Sequence, residues 1–411
     1  MVKNIANELI PPFWGVRVKP DELYMKQKKL AARVGKIVPF YVMDLLARAK
    51  DLESQGRSVI HMEVGEPDFV TAKPIIEAGK HALDSGFTGY TPASGIPELR
   101  KVIANYYQDR FSISIDPRRI IVTPGSSGAL QLILGVGVDP GDEVLMTDPG
   151  YPCNKNFVEV FSGIPVPLAV GPETGYQLNA AQVAEAWSDK TSAVIIASPS
   201  NPTGTLLPRV EMEKIYELVK SLGGILIVDE IYQELVYGGD IFSALDIADD
   251  LFVVNSFSKY FGMTGWRLGW LVAPESYVEH LDCLAQNIFL SCSAPAQYAA
   301  LKAFSSESLG ILEERRQAFK ERRDFLMPAL KAIGFDIAVK PEGAFYLYAN
   351  CSKLTDDSFK FCYDLLEAEG VALTPGKDFG CNKPEQHIRF AYTTSIEKME
   401  EAVKRIKRFL G

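Results

Sequence analysis

The chain has 411 residues, 47% hydrophobic and 23% charged, enough for a large folded core and two or three domains. A net charge of −9 argues against a nucleic-acid binder that works through a general basic face, so no nucleic-acid partner is expected. Six scattered cysteines lack any C-x-x-C pair and four histidines never fall at zinc-ligand spacing, which argues against a disulfide framework or a histidine-rich metal site. No apolar run reaches membrane-spanning length and the N-terminus lacks a signal-peptide core, so a cytoplasmic protein without a membrane partner is expected.

In chain order, residues 1 to about 30 mix prolines, aromatics and charges and read as an extended arm. From Pro39 to about Gln55, Val42, Leu45, Leu46, Ala49 and Leu52 recur at helical spacing. Five short apolar runs follow, each ending in small, polar or turn-forming residues: RIIVTPGSSG, DEVLMTDPGYP, SAVIIASPSNPTG, GILIVDEIY and LFVVNSFSK. The intervals between them include helix-like GALQLILGVGV and RVEMEKIYELVKSLG, which predicts crossover connections and a mainly parallel sheet. RLGWLVA begins too soon after Lys259 for a crossover helix and is expected to pair antiparallel. Over residues 310–331, Leu312, Phe319 and Leu326 recur seven apart, and the charged remainder is expected to be a solvated helix face. Strand-like GAFYLYAN, helical DSFKFCYDLLEAEG, strand-like HIRFAY and a final amphipathic helix then predict a smaller α+β domain.

In open parallel α/β sheets, ligands bind beyond the carboxyl ends of the strands. Past the five runs come Ser126 and Ser127; Tyr151; Asn201; Asp229 and Tyr232; and Ser256, Ser258 and Lys259, with Arg267 eight residues further. This set suits a planar, phosphorylated, nitrogen-containing aromatic cofactor. PGSSGALQLIL offers backbone donors at a helix start, and Ser256, Ser258 and Arg267 offer hydroxyls and a guanidinium for a phosphate. Asp229 follows the apolar ILIV and can hold a ring nitrogen protonated. Lys259 lies between an apolar strand and Arg267, where desolvation and a nearby cation favour its neutral, nucleophilic form.

VGEPDF, GYTPASGIPELR, TPGSSGAL, PGYP, SPSNPTG, VDEIY, SFSKYFGMTGWRLG and IRFAY resemble the class I/II aminotransferases, pyridoxal 5′-phosphate enzymes of fold type I. The resemblance spans about residues 30–411 and is most like the prokaryotic aspartate aminotransferase branch. It implies a large domain with a seven-stranded-type, mainly parallel sheet carrying one antiparallel strand, plus a smaller α+β domain. The expected division is an arm at 1–30, the first part of the small domain at 31–60, the cofactor domain at 61–305, and a connecting helix with the rest of the small domain at 306–411.

Carried over by motif, the resemblance implies that Lys259 holds the cofactor as an imine and Asp229 pairs its ring nitrogen. Asn201 and Tyr232 would bond the ring oxygen and Tyr151 would stack on the ring. The Ser126 and Ser127 backbone, Ser256, Ser258 and Arg267 would hold the phosphate. Tyr90 would reach the phosphate in a neighbouring subunit, which implies a homodimer. Arg389 would grip the substrate α-carboxylate, assisted by Gly65 and Asn201, and Ile37–Tyr41 with Phe345 would line the side-chain pocket.

The expected reaction is ping-pong transfer of an α-amino group to a 2-oxo acid, with Lys259 carrying the Cα proton. 2-Oxoglutarate is the expected acceptor and aspartate, alanine or an aromatic amino acid the donor. A carbon–sulfur β-lyase on the same fold would use the same lysine, aspartate and arginine. A non-catalytic cofactor-binding regulator needs a fused DNA-binding module, for which about thirty leading residues leave little room.

Overall fold

The apolar runs form strands in the computed structural model, which describes residues 30–37, 40–238 and 241–411. Met1–Val38 and Pro39–Gly411 make separate compact units. The described part of the first contains a short 3-10 turn, Ala32–Lys36. Residues 1–29 of the expected arm lie outside the described residues.

Among the described residues of the second unit there are twelve strands: β1 Ile60–His61, β2 Ile120–Thr123, β3 Glu143–Asp148, β4 Ile164–Ala169, β5 Thr191–Ala197, β6 Ile225–Asp229, β7 Phe252–Ser256, β8 Gly269–Val272, β9 Tyr346–Asn350, β10 Val371–Ala372, β11 Thr374–Pro375 and β12 His387–Ala391. Seven make one sheet in the order β2-β8-β7-β6-β5-β3-β4. β8 runs antiparallel to both its neighbours, as expected for RLGWLVA, with Ser256 opposite Gly269. The other pairings are parallel.

Alternate residues of these strands enter opposite cores: Leu145, Val194, Val228 and Val253 on one face, Val144, Ile195, Ile227 and Val254 on the other. Both faces are therefore covered, and the strands read as continuous apolar runs. β4, IPVPLA, was not anticipated. It pairs only with β3 at the sheet edge, where Pro165 and Pro167 cost no ladder on the open side.

Helix α1, Tyr41–Ser54, buries Leu45, Ala49 and Leu52. Helix α2, Gly125–Gly137, starts two residues after β2. Helix α3, Ser306–Ala332, buries Leu312, Phe319 and Leu326 as the spacing predicts. Its charged remainder is not all solvated, however. Arg322 and Arg323 are only 7% and 3% exposed. Arg322 makes a two-pronged contact with Asp68 at 2.7 and 2.9 Å. Arg323 donates to the Pro341 carbonyl at 2.9 Å, under the ring of Tyr237. Neighbours pack on two sides of α3, so these arginines are paired rather than exposed.

GAFYLYAN and HIRFAY supply β9 and β12, which pair antiparallel with each other, and β12 pairs antiparallel with β11 on its other side in a three-stranded sheet. β1 pairs parallel with β10, which ties the segment after α1 to the C-terminal part of the chain. Among the described residues, no helix is long and apolar enough to cross a membrane.

Candidate active site

At the carboxyl ends of β2, β3, β5, β6 and β7, a cavity of about 250 Å³ collects residues from nearly every expected motif. Ser126, Ser127, Tyr151, Asn201, Asp229, Tyr232, Ser256, Ser258, Lys259, Arg267, Gly65 and Arg389 all line it. Tyr90 does not; it is 86% exposed.

One end of the cavity is built to hold an anion. Gly125 opens α2 with φ +72°, a backbone state that suits glycine, and a Cβ there would lie 2.6 Å from the Arg267 guanidinium. A Cβ on Gly269 would lie 2.9 Å from the Ser126 amide nitrogen, so glycine is needed where β8 passes the start of α2. The buried Ser256 and Ser258 hydroxyls are 3.0 Å apart beside them. Backbone N–H groups, hydroxyls and a guanidinium at a helix start make a donor set for a phosphate.

Lys259 reaches the middle of the cavity, where Nζ donates to the Gly65 carbonyl at 2.8 Å. Burial, with Arg389 and Arg267 nearby, brings its pKa down to about 8. Asp229 is the last residue of β6 and accepts from the Ile231 N–H at 3.1 Å. Burial raises its carboxyl to about 7, against the pull of that hydrogen bond and of Lys259.

At the other end, Arg389 projects from β12. Nη1 donates to Asn201 Oδ1 at 2.9 Å, and Nη2 to the Glu63 carbonyl at 2.5 Å. Its guanidinium lies between the rings of Tyr346 and Phe379, 4.4 and 4.8 Å from their centres. Nη2 also donates to Thr374 Oγ1 at 3.3 Å, and among the described residues the buried Nε has no hydrogen-bond partner, so the guanidinium keeps donor capacity for a ligand.

The comparisons with known proteins agree with this geometry. The family "Aminotransferase class I and II" matches residues 57–406. The chain belongs to the class I and II aminotransferases. It is 41% identical to a (5-formylfuran-3-yl)methyl phosphate transaminase of Methanocaldococcus jannaschii, over 93% of this chain and 100% of that protein. It is 37% identical to a valine–pyruvate aminotransferase of Mycobacterium tuberculosis, over 93% and 98%. A crystal structure of an aminotransferase from Mycobacterium tuberculosis superposes with TM-score 0.90 at 37% identity, over 93% and 99%. The Thermus thermophilus aspartate aminotransferase with maleate superposes with TM-score 0.88 at 34% identity, over 93% and 99%. The chain therefore has the fold type I architecture and is a transaminase that uses pyridoxal 5′-phosphate.

The aminotransferase cavity fits that cofactor. It offers a helix-start donor set for a phosphate, a buried carboxylate for a ring nitrogen, a phenol and an amide for a ring oxygen, and an amine whose pKa burial has lowered. The sequence reading missed Tyr346, Thr374, Asp378 and Phe379, which also line the cavity, as do Phe40, Val42 and Met43 at the start of α1. Phe345, expected in the side-chain pocket, is instead fully buried and packs edge-on against Tyr232 at 5.4 Å. Phe345 precedes β9 by one residue, so the alternation of the chain turns it away and presents Tyr346. Of the expected Ile37–Tyr41 stretch, Phe40 lines the cavity, while Val38 and Pro39 lie outside the described residues.

Proposed function

We propose that this transaminase moves the α-amino group of an L-amino acid, with aspartate, alanine or an aromatic amino acid as donor, to a 2-oxo acid such as 2-oxoglutarate, with Lys259 as its central residue. The observation that carries the reading is Lys259 Nζ in mid-cavity with its pKa lowered to about 8, between Asp229 at one strand end and Arg389 on β12.

When bound, the cofactor supplies the electron sink for charge that develops at the donor Cα. In the proposed division of labour, Lys259 holds it covalently through Nζ, and Asp229 faces its ring nitrogen. Asn201 and Tyr232 take its ring oxygen and Tyr151 its ring face. The Ser126 and Ser127 N–H groups, Ser256, Ser258 and Arg267 take its phosphate. Arg389 receives the α-carboxylate of the donor and fixes the direction of the Cα–H bond, with Gly65 and Asn201 beside it. Lys259 Nζ, once released, removes the Cα proton. A lysine with a pKa of about 8 changes protonation state near neutral pH, which suits that duty.

The division into a cofactor domain at 61–305 and a smaller domain from 31–60 and 306–411 belongs to the same proposal, as does a homodimer in which Tyr90 reaches the partner subunit's cavity. The 86% exposure of Tyr90 supports the latter. Six unpaired cysteines fit a reducing, cytoplasmic compartment.

The test is a panel of amino donors with pyruvate or 2-oxoglutarate, each run with and without the acceptor. Transfer requires the acceptor for repeated turnover. A β-lyase would release ammonia and pyruvate from a suitable donor without one.

A further inference from the structure

We infer that the buried Glu63 carboxylate and His61 form a charge pair that positions Arg389, so that binding of a substrate's α-carboxylate depends on the charge of His61. The inference rests on the role proposed above for Arg389.

The link is the segment 62–65, just past β1, whose four successive carbonyls all accept hydrogen bonds from the site or its supports. The Met62 carbonyl accepts from the Ala391 N–H at 2.8 Å. The Glu63 carbonyl accepts from Arg389 Nη2 at 2.5 Å and from Thr374 Oγ1 at 2.7 Å. The Val64 carbonyl accepts from Thr393 Oγ1 at 3.3 Å, and the Gly65 carbonyl from Lys259 Nζ at 2.8 Å. A shift of this segment therefore moves the acceptor that aims Arg389. What holds the segment in place is the side chain of Glu63 itself.

That side chain is fully buried. Its Oε1 lies 2.7 Å from His61 Nδ1, and its Oε2 has no hydrogen-bond partner among the described residues. His61 Nε2 lies 3.2 Å from Glu53 in the last turn of α1. Both ring nitrogens face carboxylates, and only the doubly protonated ring can donate to both. The hydrogen bond to Glu63, outweighing burial, raises the His61 pKa above 6.5, and the charges of Glu63 and Glu53 add to it. Neighbouring charges are engaged elsewhere. Arg405, from the helix Ile396–Leu410, donates to the Ser58 carbonyl and pairs with Glu401, while Arg57 donates to the Ala368 carbonyl. Alongside β1, β10 presents only Val371 and Ala372. As pH rises through the His61 pKa, the ring loses its proton and Glu63 is left as a buried charge without a counter-charge, a costly state. The segment relieves it by shifting, and its hold on Arg389 loosens.

The experiment uses the holoenzyme, as wild type, His61→Gln and Glu53→Gln. Calorimetry measures the binding of 3-phenylpropionate and succinate, carboxylates with no amine to react, over a pH range that starts below 6.5. Glutamine at position 61 keeps an N–H for Glu63 and removes the charge. Below pH 6.5, His61→Gln is expected to bind both ligands about fivefold or more weakly than wild type, and the gap should close as pH rises through the His61 pKa. Glu53→Gln, at an exposed position, removes one of the two carboxylates that favour the charged ring. It should match wild type at low pH and weaken before it as pH rises. An affinity ratio between wild type and His61→Gln that does not change with pH overturns the inference, because a purely structural anchor predicts that pattern. If His61→Gln does not fold, Glu53→Gln decides: a curve coincident with wild type overturns the inference, and an earlier weakening supports it. A wild type that binds neither carboxylate at any pH overturns instead the role of Arg389.

Discussion

The hydroxyls of Tyr232 and Tyr346 lie 2.7 Å apart, buried in the wall of the cavity. The Tyr346 ring also lies under the Arg389 guanidinium. One side chain thus touches both the proposed ring-oxygen partner and the proposed carboxylate grip. Tyr346→Phe is expected to cost about 1 kcal/mol of stability, the net worth of one hydrogen bond. It should also shift the pH at which the holoenzyme's visible absorption changes, because Tyr232 loses a neighbour that shares its proton. A spectral titration of the variant beside wild type checks this; an unshifted midpoint would separate the two residues functionally.

Gly65 is constrained by the same tyrosine. A Cβ at this position would sit 1.9 Å from Tyr346 Oη. Gly65→Ala must push apart the backbone whose carbonyl accepts from Lys259. The expected cost is about 1–3 kcal/mol in urea unfolding, with a fall in turnover larger than the change in KM.

Arg389 tests orientation. Lysine cannot reproduce two directed N–H groups between flanking rings, and it leaves Asn201 Oδ1 and the Glu63 carbonyl short of a donor. Arg389→Lys should cost about 2–5 kcal/mol in transition-state stabilisation, seen as a drop in kcat/KM of at least about thirtyfold. Steady-state kinetics on a monocarboxylic amino acid measures it.

Lys259 and Asp229 make opposite predictions for the pH dependence of apo-protein stability. The folded-state pKa of Lys259, about 8, lies below the ordinary 10.5, so its stability contribution is present above 10.5 and lost as pH falls through 8. Lys259→Met should therefore be more stable than wild type below pH 8, with the gap closing by pH 10.5. Asp229 is raised from 3.8 to about 7, so its contribution is present below 3.8 and lost as pH rises through 7. Asp229→Asn should be the more stable protein above pH 7 and lose that advantage by pH 3.8. Denaturant midpoints across this range decide both.

Which parts of this were legible in the sequence follows from where the interactions sit along the chain. Asp229 ends a buried strand, and Ser126, Asn201 and Lys259 lie three or four residues beyond one, so an apolar run and the polar residues after it announce them together. Asp378 and Thr374 carry no such local signal. Asp378 accepts from a helix start 336 residues away in the chain, a relationship that no local stretch displays. Phe345 was chosen over Tyr346 for want of one residue of strand register, which local composition does not define. The prolines of β4 hid an edge strand, and the seven-residue repeat of α3 revealed its apolar stripe but not the partners of Arg322 and Arg323.

The covalent role of Lys259 is the point on which the account turns. Holoenzyme saturated with pyridoxal 5′-phosphate, reduced with borohydride and digested with trypsin, should yield one pyridoxyl-modified peptide, residues 221–267, with the label on Lys259. An unmodified Lys259 in that digest, or a label on another lysine with turnover intact in Lys259→Ala, would contradict it.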